Sequence, residues 1–132
     1  MKRTFQISLA LIGFIPFTLG IIQFINGASM FVDQEYVNVQ LDSQIRFGAI
    51  WFMVAAFLGW WMIPRVDQAQ YSPLFRIMFL TMAGAGIARL VSIYLIGGAE
   101  PPLFVATGIE IGLVLLIPWQ AAVVRRSVRQ SR

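Results

Sequence analysis

Two opposite charges, Arg89 and Glu110, stand inside long apolar runs of a 132-residue chain. A charge placed in hydrocarbon is expensive, so each needs a partner or a purpose. Counted from the loop between their runs, Arg89 lies about seven residues and Glu110 about eight residues below the outer end. At a helical rise of about 1.5 Å per residue that is roughly 10 Å and 12 Å of depth. Helices joined by a short turn are antiparallel neighbours, so the two side chains can meet. A guanidinium offers a planar fork of donors that takes a carboxylate in bidentate fashion. The same fork can grip an anionic or carbonyl group of something bound.

A second pair, Asp42 and Arg46, sits at the outer mouth of another apolar run. Their four-residue spacing places them on one helical face. Arg46 can reach Asp42 in one direction or Glu110 in the other. Ser92, one turn from Arg89, and Thr107, one turn before Glu110, add hydroxyls at the same depth. The expectation is a polar pocket opening outward between the second, third and fourth helices. Phe47, Trp51, Tyr94 and Phe104 are its candidate walls. The plain alternative is an ion pair that sets helix register and nothing more. Two arginines near so few acids tilt the expected ligand toward an anionic or polar head.

The elements that must carry these residues follow from composition. Charged residues are 12% of the chain, about half the share usual in soluble domains, and mean hydropathy is +0.75. Four apolar runs, at about 5–25, 43–63, 74–96 and 102–119, are each long enough or nearly so to cross a bilayer core. The fold class expected is therefore all-α: a four-transmembrane-helix bundle, antiparallel and up-down. One integral membrane domain over residues 1–132 leaves no room for a separate soluble domain. The first run is too long for the core of a signal peptide, and Asn26-Gly-Ala28 is a poor cleavage site, so an uncleaved span is expected.

Local signals refine the spans. Pro16 lies mid-helix in the first and is expected to kink it, freeing a carbonyl one turn earlier. Gly13, Gly20 and Gly27 recur every seven residues and share a face open to close helix approach. The polar stretch from Asn26 to Gln44 alternates at Glu35-Tyr-Val-Asn-Val-Gln-Leu41, suiting an extended segment, a lid or a plain linker. Asp42 or Ser43 is the expected cap of the second span. Trp60 and Trp61 mark its far interface, and Pro64 ends it. Gly84, Ala88 and Ser92 form a small-residue face on the third, and Arg76 near its start can snorkel to the interface. Gly97-Gly-Ala-Glu-Pro-Pro102 is a tight turn, and a basic tail follows the fourth span.

Charge sets orientation. Lys2, Arg3, Arg65, Arg76 and the tail arginines Arg125, Arg126, Arg129 and Arg132 fall on one side; Asp33, Glu35, Asp42 and Glu100 fall on the other, with only Arg46 near them. By the positive-inside rule both termini are cytoplasmic. The net charge of +4 is thus a topology determinant that also attracts anionic membrane lipids, and no nucleic-acid partner is expected. The chain has neither cysteine nor histidine. That excludes disulfides, serine–histidine triads and histidine-ligated haem or metal. No catalytic residue, metal or cofactor is expected.

At Leu41-Asp42-Ser43-Gln44-Ile45-Arg46-Phe47 the chain resembles a bacterial membrane family known as domain of unknown function 4345. The resemblance continues through Gly86-Ile-Ala-Arg89-Leu-Val-Ser92, the following Gly–Pro-Pro turn and Glu110, from about Leu9 to Trp119. It implies a four-helix protein of the bacterial inner membrane. It brings no activity, substrate or cofactor, and what it highlights is Asp42, Arg46, Arg89 and Glu110.

Four functions are open. One is a binding protein that holds a small hydrophobic ligand, such as a lipid, quinone or sterol-like molecule, at Asp42, Arg46, Arg89, Ser92, Thr107 and Glu110. Close beside it stands a structural or accessory subunit, a homo-oligomer or part of a larger membrane complex. A proton-coupled small exporter ranks third, because the first span carries no acid. A membrane-embedded isomerase using Glu110 ranks last, because no nucleophile or metal set accompanies the pair.

Overall fold

The computed structural model describes residues 1–98 and 100–130. Ala99 of the expected tight turn and the last tail arginine, Arg132, therefore lie outside the described residues. The regular structure of the described residues is all helical, with no strand among them. The long elements are α1 (Lys2–Asn26), α2 (Val39–Met62), α3 (Ser72–Ile96), α4 (Pro101–Gly112) and α5 (Leu116–Gln130). A single 3-10 turn, Leu113–Leu115, links α4 to α5. Four helical stretches, Lys2–Met30, Val39–Arg65, Ala69–Ile96 and Pro101–Gln130, are long and apolar enough to cross a membrane. At about 1.5 Å per residue even a 24-residue helix exceeds a hydrocarbon core of about 30 Å.

Side-chain exposure fits lipid as the solvent. Ile7, Leu11, Phe14 and Ile25 of α1 are exposed, whereas Phe5, Leu9, Gly13 and Gly20 are buried. Between membrane helices there is no hydrophobic drive, so small residues that permit close approach occupy the contacts.

The chain divides into two compact units. The first, Arg3–Pro64, is the hairpin of α1 and α2. Its contacts run in reverse order along the two helices, which makes them antiparallel. Gln6 Nε2 donates to the Ile63 carbonyl at 2.9 Å, and the Trp60 indole N–H donates to the Ala10 carbonyl at 3.1 Å. Phe14, Phe17, Phe57 and Trp60 pack as tilted and edge-on rings with centroids 5.0–5.7 Å apart. The glycine face of α1 meets α2 as its seven-residue spacing suggests. A Cβ on Gly13 would overlap the Trp60 indole, and one on Gly20 would lie 2.8 Å from the Ala49 carbonyl oxygen. The α1 helix runs through Pro16 without a break in assignment.

The start of α2 differs from expectation. The helix begins at Val39, and the cap is Asn38, whose Oδ1 accepts from the Leu41 N–H at 2.9 Å. Asparagine is among the best N-caps. Asp42 is unavailable for that role because both its oxygens are engaged elsewhere. The alternating stretch 35–41 is thus a 3-10 turn (Gln34–Tyr36), two extended residues and the first turn of α2.

The second unit comprises Met1–Lys2 and Arg65–Arg132. Here α3 packs antiparallel against α4 and α5. The residue that brings α3 against α4 is Gly86, not the expected face of Gly84, Ala88 and Ser92. A Cβ on Gly86 would come within 3.1 Å of both Glu110 Cβ and the Thr107 carbonyl oxygen; one on Gly84 would meet nothing within 4 Å. Gly84, Ala88 and Ser92 are exposed. The register of the buried face, Phe75, Phe79, Ala83 and Gly86, follows the helical repeat. The described part of the basic tail, through Gln130, is helical, belonging to α5.

Candidate functional site

The sequence-expected pair forms in the second unit. Arg89 Nε donates to both carboxylate oxygens of Glu110, at 2.9 Å and 3.1 Å. Arg89 stands 96 − 89 = 7 residues from the end of α3, and Glu110 stands 110 − 101 = 9 from the start of α4. Both are therefore roughly 10–14 Å along their helices from the connecting turn. Gly86, one turn before Arg89, lets the α4 backbone approach closely enough for the two side chains to meet. The pair is unequal in exposure: the Glu110 side chain is 12% exposed and that of Arg89 34%. The terminal guanidinium nitrogens of Arg89, Nη1 and Nη2, make no hydrogen bond to any described residue. The acid is thus buried to hold the arginine, and the arginine keeps donors to spare.

Thr107 is buried, and its hydroxyl donates to the Leu103 carbonyl at 2.7 Å. That is the ordinary back-bond of a hydroxyl to the preceding turn, so Thr107 packs the α3–α4 contact. Ser92 is exposed, one turn beyond Arg89, and its hydroxyl has no partner among the described residues.

Asp42 and Arg46 belong to the first unit, where they tie the end of α1 to the start of α2. Asp42 Oδ2 accepts from Arg46 Nε at 2.7 Å, and Oδ1 accepts from the Ala28 N–H at 2.9 Å. Arg46 Nη1 donates to the carbonyls of Phe24 and Ile25. Those are orphan carbonyls of the last turn of α1, where a cation is also favoured by the helix dipole. Of the two directions open to Arg46, it takes Asp42. Gly27, between these groups, has φ +59°, and a Cβ there would overlap Asp42 Oδ1. Phe47 and Trp51 stack edge-on, centroids 6.2 Å apart.

Each arginine therefore has its own carboxylate. The excess of arginine over acid that favours an anionic ligand in the sequence is absent from the local charge balance.

A second polar cluster escaped the sequence reading. Asp67 Oδ2 accepts from Lys2 Nζ at 2.7 Å and from the Ser127 hydroxyl at 3.1 Å. Gln120, 1% exposed, donates to the Val66 carbonyl and to Ser72 Oγ. One signal was present: Asp67 is the sole acid among the basic flanks. Burial disfavours the Asp67 carboxylate, but the bonds from Lys2 and Ser127 outweigh it and hold its pKa below the ordinary aspartate value of 3.8. A carboxyl lowered in the folded state contributes stability that is full above its unfolded pKa and lost as pH falls through its folded one. The stability difference between wild type and Asp67→Asn is therefore expected to hold constant at neutral pH. It should shrink only in acid below the ordinary value, as read from unfolding midpoints across a pH series.

No curated protein and no solved structure matches this chain. A family model, the domain of unknown function DUF4345, matches residues 4–121. That match takes in the α1–α2 tie at Asp42 and Arg46, the close approach at Gly86 and the Arg89–Glu110 pair, and the chain belongs to the DUF4345 family.

Proposed function

We propose that this multi-pass membrane protein binds a lipid-like or other small hydrophobic ligand, whose polar head docks on Arg89. One observation carries the reading: within a membrane-spanning stretch, Arg89 turns Nε to Glu110 and leaves Nη1 and Nη2 without a partner among the described residues. Donors left open there are free to take an acceptor from a bound molecule. Glu110 orients the guanidinium, and Ser92 adds a hydroxyl. In this reading Asp42 and Arg46 hold the outer ends of α1 and α2 in place. Thr107 contributes packing beneath the pair.

The membrane is the bacterial inner membrane in this proposal, with both termini cytoplasmic. The charge distribution supports it, since Lys2, Arg3, Arg65, Arg76, Arg125, Arg126 and Arg129 cluster on the flanks expected to face inward.

A second reading, an accessory or oligomeric subunit, is favoured by the exposed small-residue face of α3. Gly84, Ala88 and Ser92 lie open there, and such faces suit another membrane helix.

Native mass spectrometry of protein taken directly from its own membrane separates the two. Wild type is expected to carry a defined small hydrophobic adduct that the Arg89→Gln/Glu110→Gln variant loses. Wild type arriving without an adduct but attached to another protein chain would replace the binding reading with the subunit one.

A further inference from the structure

Resting on the binding reading above, we infer that the head group taken by Arg89 is a neutral hydrogen-bond acceptor. It is a carbonyl oxygen of the ester or ketone class, shared between the Arg89 terminal nitrogens and the Ser92 hydroxyl. Three observations lead there.

The first is charge. Glu110 already neutralises Arg89 across 2.9 Å, and Arg46 is matched by Asp42 at 2.7 Å. A phosphate or carboxylate docking on Arg89 would leave one negative charge uncompensated within a membrane-spanning stretch, where an unpaired charge is strongly disfavoured. A carbonyl adds no charge. It takes the donors as they stand, in surroundings where a hydrogen bond to an ionised donor is strong.

The second is the donor set. A guanidinium has no acceptor, so its partner must supply lone pairs. With Nε held by Glu110, the pair of Nη groups is what remains without a partner among the described residues. Ser92 lies three residues further along α3, on the same helical face, with its hydroxyl unpartnered among the described residues. A carbonyl oxygen carries two lone pairs and can accept from Nη and from Ser92 at once. Thr107 is excluded from this contact because it is 2% exposed and its hydroxyl is committed to Leu103.

The third is room. Ala88 and Ala85, beside and one turn inward of Arg89, are both exposed and small. An apolar chain can lie along them while its head sits at Arg89 and Ser92. The ligand then points its head toward the α3–α4 turn and its tail along α3 toward the middle of the span.

The test uses the full chain, purified in a non-ionic detergent, with two single-chain probes that differ only in the head. Hexadecyl acetate presents an ester carbonyl; hexadecyl phosphate presents an anion. Retention of each is read by native mass spectrometry on wild type, Ser92→Ala and the Arg89→Gln/Glu110→Gln variant. Wild type is expected to retain the acetate about tenfold better than the double variant, the order expected for hydrogen bonds to a charged donor. Ser92→Ala, an exposed change that leaves the ion pair intact, is expected to lose roughly threefold, the smaller share of a neutral bond. The phosphate should be retained equally by wild type and double variant. Preferential retention of the phosphate by wild type, lost in the double variant, overturns the neutral head and leaves the binding reading standing. If neither probe distinguishes wild type from both variants, the inference and the binding reading fall together.

Discussion

Replacing Glu110 with leucine is expected to destabilise the protein by about 3 kcal/mol, the low end of what breaking a buried ion pair costs. The loss comes from what remains. Arg89 would keep its charge in a membrane-spanning stretch with no carboxylate beside it, and a lone arginine near mid-bilayer costs about 2.5–3.5 kcal/mol on insertion scales. The 34% exposure of Arg89 keeps the figure from rising further, since the guanidinium can bend toward water. The double variant Arg89→Leu/Glu110→Leu should regain most of the loss, since apolar replacements of buried pairs are often neutral or better. Reversible unfolding in mixed micelles, arranged as a double-mutant cycle, measures the coupling directly. A coupling near zero would mean the 2.9 Å contact does not hold α3 to α4. A double variant that is stable but carries no ligand would separate the pair's binding role from its structural one.

Gly27→Ala is expected to be strongly destabilising, a large loss for one methyl group. Two effects add. The backbone at Gly27 has φ +59°, and an L side chain in the left-handed region costs about 1–2 kcal/mol. The new Cβ would also overlap Asp42 Oδ1 and lie 2.7 Å from Arg46 Nη2. Asp42 must then leave, losing its bonds to the Ala28 N–H and to Arg46 Nε. With Asp42 gone, Arg46 loses the anchor that aims it at the last carbonyls of α1. Asp42→Asn keeps the shape and the Ala28 bond but not the ion pair, so its loss should be smaller than that of Gly27→Ala. The effect has a local readout. Phe31 and Tyr36 are exposed in the segment that the tie closes, and chymotrypsin should cut there faster in Gly27→Ala than in wild type. Equal cutting rates would mean that the segment is held by something other than Asp42 and Arg46.

The sequence by itself determined the four spans and the Arg89–Glu110 pair, and for related reasons. Length and apolarity decide whether a helix can cross a bilayer, and both are properties of a linear run. Depth follows from counting residues, because the helical rise is constant. Two opposite charges at equal depth on consecutive helices therefore meet once their faces agree. The seven-residue spacing of Gly13 and Gly20 is legible for the same reason, since residues seven apart share a face of α1; Gly27, the third of the series, lies beyond the helix end at φ +59°.

Which face meets a neighbour was decided only by the tertiary structure. In water the apolar face of a helix points inward, but in lipid both faces are apolar and hydrophobicity says little about facing. On α3 the sequence pointed to the small-residue face of Gly84, Ala88 and Ser92. Packing selected Gly86, whose position lets the α4 backbone and Glu110 Cβ come close. The roles of Asp42 and Arg46 were hidden for a related reason. Their spacing shows that they can pair, but not that the carbonyls of Phe24 and Ile25 and the N–H of Ala28 wait beside them. Those backbone groups come from the end of another helix, brought there by the fold. Once Asp42 is drawn to them, capping of α2 passes to Asn38, and the alternating residues before Asp42 are taken into a turn and the helix. The unpartnered donors of Arg89 belong to the same class of fact: a guanidinium has five N–H groups in any sequence, and only the placement of Glu110 against Nε decides which of them remain open.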